Sequence, residues 1–357
     1  MTSKAHFSCY NIVFSVANNT EKNLSQKDKT TQDLNLENPK FNSSNIQDYK
    51  WTRKSLLSTQ DLSLNEVDTI LNTAKNLCEI ITRPVKKVPS LRGKVIMNLF
   101  YENSTRTRTS FELAGKYLSA DVINFSVATS SVKKGETIQD TAETLIQMGT
   151  DLVVIRHAHS GTPFQLAKHL PSHISLINAG DGSNEHPSQA LLDLYTIKNE
   201  AFTDVKNKKI VILGDVLNSR VARSNIWLLK NQGADIHLCG PSTLVPTSFE
   251  KYGVHVIHNL KTALKDADII MALRLQTERQ ASGNIPSLEE YHKLFGLDHE
   301  KIKLAKENVK ILHPGPMNRG VEITSQLADD KKYSLISNQV SNGVAIRMAL
   351  LYLLVFA

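Results

Sequence analysis

The sequence predicts an α/β protein of two doubly wound parallel-sheet domains, joined by interdomain helices, with the C-terminal helix packing back on the first domain. Three observations predict it. Short apolar runs of strand length alternate with segments of helical period along most of the chain. A turn-rich stretch, Asn178-Ala179-Gly180-Asp181-Gly182-Ser183-Asn184, interrupts the alternation, and a second series follows it. At 357 residues, 41% hydrophobic and 22% charged, the chain is long enough for two cores of ordinary size.

Residues 1–50 are rich in Asn, Ser, Thr and Lys. Such a segment buries too little apolar surface to offset the entropy of ordering, so a disordered or loosely ordered tail is expected. The first helix is signposted by Ser63 and Glu66 at capping-box spacing, with Val67, Ile70, Leu71, Ala74 and Leu77 on one face. Strand-like runs follow at 95–100, 122–125, 152–155 and 174–177. Helical patterns lie between them at 111–118, 137–148 and 163–170. Beyond the break, Pro187 suits the first position of a helix reaching Lys198. The second series has strands at 209–213, 235–238, 254–257, 268–272 and 309–312, with a helix at 221–232. A fully buried helix from Val340 to Phe356 closes the chain. The expected division is a tail at 1–50, a first domain at 51–187 completed by helix 339–357, and a second domain at 188–338.

The net charge is +7, but Lys and Arg are spread along the chain. No basic block with interleaved aromatics and no nucleic-acid motif is present, so small anionic ligands are the better reading. Cys9, Cys78 and Cys239 are far apart and odd in number. They outline no disulfide framework and no paired metal spacing, which points to a reducing compartment and a cytoplasmic protein. No apolar run reaches the length of about 18 residues that a membrane span needs.

Ser104-Thr105-Arg106-Thr107-Arg108 joins the 95–100 strand to the helix after it. A helix N-terminus carries unpaired N–H groups and partial positive charge, so hydroxyls and guanidiniums there suit a phosphate-sized anion. An ordinary N-cap with solvated arginines accounts equally well for this pentapeptide alone. Other polar groups also collect at strand ends, where ligands bind in open α/β sheets. Arg156, His186, Gln189, Arg220, Arg274, Gln276 and His313-Pro314-Gly315-Pro316 all follow predicted strands. Arg106, Arg156, Arg220 and Arg274 are cationic forks for phosphate or carboxylate, and Gln189 and Gln276 offer amides to an uncharged polar group. No nucleophile stands beside a base, and no Gly-rich nucleotide loop is present. His157-Ala158-His159 is a weak metal pattern, so neither a metal nor a cofactor is expected. Positioning and electrostatic stabilisation of small anions remain.

These motifs resemble, in order, those of the aspartate and ornithine carbamoyltransferases. The likeness begins at Ser104–Arg108. It continues through Lys133-Lys134-Gly135-Glu136-Thr137, His186-Pro187-Ser188-Gln189, Gly214-Asp215 with Ser219-Arg220, and Arg274-Leu275-Gln276. It ends at His313-Pro314-Gly315-Pro316-Met317-Asn318-Arg319-Gly320. The resemblance implies a carbamoyl-phosphate-binding first domain and an aspartate-binding second domain. It implies carbamoyl transfer from carbamoyl phosphate to L-aspartate, in pyrimidine biosynthesis. Ser104, Thr105 and Arg106 would hold the phosphate, and Thr107, Arg156 and His186 would polarise the carbamoyl oxygen. Gln189 would take the carbamoyl NH₂, Arg220 the aspartate α-carboxylate, and Arg274 with Gln276 the β-carboxylate. The Pro314 and Gly315 carbonyls would face the amines. Ser130 and Lys134 would reach into a neighbouring subunit, implying a homotrimer with shared active sites.

The aspartate branch is favoured because a cationic Arg274 suits a second carboxylate and repels an ornithine ammonium. The resemblance leaves regulatory or dihydroorotase-type partner chains open, and no nucleic acid or membrane partner is expected. The alternatives are a carbamoyltransferase for another amine such as ornithine, and a non-catalytic anion-binding subunit.

Overall fold

The computed structural model describes residues 49–126, 135–276, 285 and 287–357. Two five-stranded sheets organise them, and within each sheet every pair of neighbours is parallel. The first contains β1 (Ser55–Leu56), β2 (Val95–Phe100), β3 (Asp121–Ser126), β4 (Leu152–His157) and β5 (Ser175–Asp181), in the order β1-β5-β4-β2-β3. The second contains β6 (Lys209–Leu213), β7 (Asp235–Cys239), β8 (His255–Ile257), β9 (Ile269–Ala272) and β10 (Lys310–Leu312), in the order β10-β9-β6-β7-β8. Parallel neighbours require crossovers, and helices supply most of them. That is why apolar runs and helical periods alternate in the sequence.

Helix α1 (Leu64–Thr82) starts at the expected capping box, with the Ser63 hydroxyl accepting from the Glu66 N–H and Glu66 reaching back to the Ser63 N–H. Helix α2 (Thr105–Tyr117) follows β2, and α3 (Ile138–Gln147) opens on a second capping box, Thr137 with Asp140. After α4 (Thr162–Ala167) come α5 (Pro187–Glu200) and α6 (Arg220–Asn231), which pack against each other where the sheets meet. The second sheet is completed by the short helices α7 (Leu260–Leu264), α8 (Leu288–Phe295), α9 (His299–Ile302) and α10 (Ser325–Asp329). The last helix, α11 (Ile336–Val355), returns to pack on α1, α2 and α5. Its Leu354 carbonyl accepts from the buried Ser175 hydroxyl at 2.6 Å. A second apolar cluster, built on Met97, Leu99, Val153, Ile155 and Leu176, fills the other face of the first sheet.

Two sequence expectations are corrected. Strand β5 runs through Asp181, into the stretch read as a break. The turn formers there are held in the strand by their own side chains: Asn178 Nδ2 donates to Asp181 Oδ1 at 2.9 Å, and Asn178 Oδ1 accepts from the Gly180 N–H at 2.8 Å. The closing helix begins at Ile336, four residues before the predicted start, because its polar first turn is fixed by packing and not by period. Of the three cysteines, Cys239 is free and buried, and Cys9 lies outside the described residues.

Candidate active site

The carboxyl ends of the two sheets face a single cavity of about 830 Å³. From the first sheet and its crossovers, Ser104, Thr105, Arg106, Thr107, Arg156, His186 and Gln189 line it. Arg220, Arg274, Gln276, Pro314 and Gly315 line it from the second. Ser130 and Lys134 lie outside the described residues.

Ser104 is the N-cap of α2, yet its side chain makes no capping bond. The first-turn amides and three adjacent hydroxyl side chains therefore border the cavity at the positive end of the helix. Arg106 comes close to the 313–316 loop. Gly315 there has φ +61°, and a Cβ on it would sit 3.2 Å from Arg106 Cζ. Gly180 is a second such approach, with φ +120° and a Cβ position 3.0 Å from Arg220 Cζ.

Behind the helix start, three side chains converge. The Thr107 hydroxyl lies 3.4 Å from His186 Nε2 and accepts from Arg156 Nη1 at 3.5 Å. His186 is held by its backbone: its N–H donates to the Ser224 hydroxyl at 2.8 Å, which in turn donates to Glu185. Glu185 also accepts from the Thr59 N–H and hydroxyl at 2.9 Å, and from the Ser58 hydroxyl. Burial, then the charges of Arg156, Arg220 and Arg347, hold the His186 imidazole well below its usual range. It is neutral near pH 7, so the ring carries one N–H. Gln189 gives its Nε2 to Asp193 Oδ1 at 2.8 Å, which leaves its carbonyl oxygen as the group for a ligand N–H.

The Arg274–Gln276 segment of the second lobe is anchored through its backbone. The Leu275 N–H donates to Glu322 at 2.9 Å and the Gln276 N–H to Asp215 at 3.2 Å. Partial burial and the charge of Arg274 push the Arg106 guanidinium down, as expected where two cations share one hollow.

Sequence reasoning missed Glu102 and Asp193, and it named His313 without giving it a role of its own. Glu102, two residues beyond β2, pairs with Arg220 through both oxygens and reaches Arg156 Nε at 3.4 Å. Its signal was available: it is the acidic residue between a strand end and an arginine-rich turn. His313 shapes its own loop by accepting from the Gly315 N–H at Nδ1, 2.9 Å. Burial, then Arg106 and Arg274, push it down to about 3. Asp193 is buried and accepts from Gln189, Gln339 and Asn225 at 2.8, 2.7 and 2.9 Å. Burial pushes it up to about 6. Nothing in its helical position marked it out.

The fold and the cleft define an α/β enzyme that grips anions between two lobes. Comparison with known proteins makes this specific. Residues 54–199 match the family model for the carbamoyl-P binding domain of aspartate/ornithine carbamoyltransferase, and residues 206–354 match its Asp/Orn binding domain. The chain is 56% identical over 305 residues to an aspartate carbamoyltransferase catalytic subunit from Syntrophomonas wolfei, covering 85% of this chain and 96% of that protein. It is 52% identical over 314 residues to one from Thermosynechococcus vestitus, covering 85% and 95%. Among solved structures, it superposes with a TM-score of 0.74 and 29% identity on aspartate transcarbamoylase from Trypanosoma cruzi in complex with carbamoyl phosphate and aspartate, covering 84% and 96%. Ornithine carbamoyltransferase from Pyrococcus furiosus gives 0.73 and 29%, covering 85% and 97%. The chain belongs to the aspartate/ornithine carbamoyltransferase family.

Proposed function

We infer that this chain transfers the carbamoyl group of carbamoyl phosphate to L-aspartate, giving N-carbamoyl-L-aspartate and phosphate. The observation that carries the reading is the meeting of Thr107, Arg156 and His186 beside the start of α2, in a cavity whose far wall carries Arg220 and Arg274. The aspartate amine attacks the carbamoyl carbon and a C–N bond forms. The bond from carbon to the phosphate oxygen breaks, and phosphate leaves with a proton from the amine.

In this proposal the N–H groups and hydroxyls of Ser104 and Thr105, with Arg106, bind the phosphate and the charge it gains on leaving. Thr107, Arg156 and neutral His186 donate to the carbamoyl oxygen, where negative charge develops. The Gln189 carbonyl oxygen takes the carbamoyl NH₂. Arg220 takes the α-carboxylate, Arg274 and Gln276 the β-carboxylate, and the Pro314 and Gly315 carbonyls face the amines. The lowered pKa of His186 makes it a weak proton acceptor and so a poor general base, and the leaving phosphate is itself a proton acceptor.

A homotrimer with shared sites belongs to the same proposal. Strand β3 is an edge of the first sheet, and Leu113 and Ile123 are exposed apolar side chains on α2 and β3. A second copy covering that edge would bring Ser130 and Lys134 towards a neighbouring site. Pyrimidine biosynthesis is the proposed context. Among the described residues no helix is long and apolar enough to cross a membrane. Cytoplasmic placement rests on the three widely spaced cysteines, and cell fractionation tests it.

The deciding experiment mixes carbamoyl phosphate with aspartate and, separately, with ornithine, and identifies the product. Carbamoylaspartate with phosphate release is expected. Citrulline would overturn the choice of acceptor, and no product from either amine would favour an anion-binding subunit.

A further inference from the structure

A cluster of titratable side chains lies away from the cleft, at the outer edge of the second sheet. Strand β8 is the edge strand and pairs in parallel with β7. In that register His237 stands directly opposite His255. Side chains alternate along a strand, so Asp235, two residues before His237, shares its face. Three potential ligands therefore project from one face of two adjacent strands.

Their geometry is already compact. His237 Nε2 lies 2.9 Å from Asp235 Oδ2, and His255 Nε2 lies 3.4 Å from Asp235 Oδ1. The imidazoles stack with centroids 4.7 Å apart, and the ligand atoms of all three residues lie within 4.8 Å of one another. A zinc ion held at roughly 2.0–2.2 Å from nitrogen and oxygen ligands needs neighbouring ligand atoms about 3–3.5 Å apart. Both carboxylate–imidazole spacings are at or near that range, and modest side-chain rotation would bring the imidazoles together. His237 Nδ1 is buried without a hydrogen-bond partner, so the ring makes its polar contact through Nε2, on the cluster side.

We propose that Asp235, His237 and His255 form a binding site for one divalent first-row transition-metal ion, of which Zn²⁺ is the test case. Two imidazoles and one carboxylate suit zinc, nickel and copper better than magnesium or calcium, and water fills the remaining position. The site would clip the edge strand to its neighbour. Its charge surroundings are compatible. Burial, together with Lys209 and His255, favours the neutral, ligating form of His237 over the pull of Asp235. Lys209, opposite Asp235 on β6, has its ammonium on the Lys265 carbonyl at 2.6 Å. Asp235 and His255 begin their strands, at the end of the sheet away from the cleft, so occupancy should leave catalysis unchanged.

The competing account is a plain Asp–His hydrogen bond with stacked rings. Calorimetric titration of Zn²⁺ into the full chain separates the two, run beside His255→Asn and Asp235→Asn. Wild type should bind one more equivalent than either variant, or bind that equivalent about tenfold more tightly or better. Co²⁺ should give d–d absorption that both variants lose, while carbamoylaspartate formation stays the same in all three proteins. Equal zinc stoichiometry and affinity in wild type and both variants, or no binding by wild type, would overturn the site.

Discussion

Glu102 and Arg220 form a two-pronged ion pair, Nη1 to Oε2 at 2.8 Å and Nη2 to Oε1 at 3.0 Å, that joins the loop after β2 to the first turn of α6. The same carboxylate touches Arg156. One acid on the first lobe thus orients a guanidinium assigned to the carbamoyl oxygen and another assigned to aspartate. Arg220 is buried, so its pairing is charge-assisted and poorly screened.

Glu102→Gln should therefore harm catalysis more than folding. Losing a charge-assisted bond of this type costs about 1.5–3 kcal/mol. That is roughly a ten- to hundredfold fall in kcat/KM for aspartate. Steady-state kinetics with each substrate varied, beside a thermal melt, measures both effects.

His186→Ala removes one proposed donor to the carbamoyl oxygen, and kcat should fall about 10²–10³-fold. The wild-type imidazole is held neutral well below pH 6.5. Any acidic limb that wild type shows between pH 6 and 7 should therefore persist in the residual activity of His186→Gln, whose amide also donates. A pH–rate series on both proteins checks this.

His313 makes stability depend on pH with a definite sign. Its folded value is about 3, against 6.5 for an ordinary imidazole. Between those values the unfolded chain binds more protons, so this residue's contribution is complete above pH 6.5 and is lost as the pH falls towards 3. His313→Gln should flatten that part of the profile. Urea midpoints from pH 7 to pH 4 would show the slope difference; identical slopes would refute it.

Mixing Lys134→Ala and His186→Ala chains tests the shared site. Each should be nearly inactive alone. A mixed trimer should regain activity wherever an intact His186 chain meets an intact Lys134 neighbour. Unfolding and co-refolding the two, followed by the product assay, decides it; no recovery would remove the shared site.

Much of this was legible from residue order alone. The capping box at Ser63 and the apolar runs of β2, β4, β6 and β9 declare themselves by local pattern. The strand-end rule then delivers most of the cleft, because parallel sheets place every carboxyl end on one side. What stayed hidden depends on partners remote in sequence. Asp193 reads as one more polar position on α5 until Gln339, on α11, is folded against it. Asn178 and Asp181 read as turn formers because local propensity cannot register a bond between side chains within a strand. Strand β1, two residues long, exists only through pairing with β5.

The return of α11 to the first lobe sets an order of assembly. The first sheet is synthesised early, yet the surface formed by α1, α2 and α5 stays bare until residues 336–355 leave the ribosome. The lobe built from the middle of the chain can close on itself sooner. The first half of the protein is thus the last to be finished, and a nascent chain stalled before Ile336 would present a broad apolar face to whatever chaperones attend it.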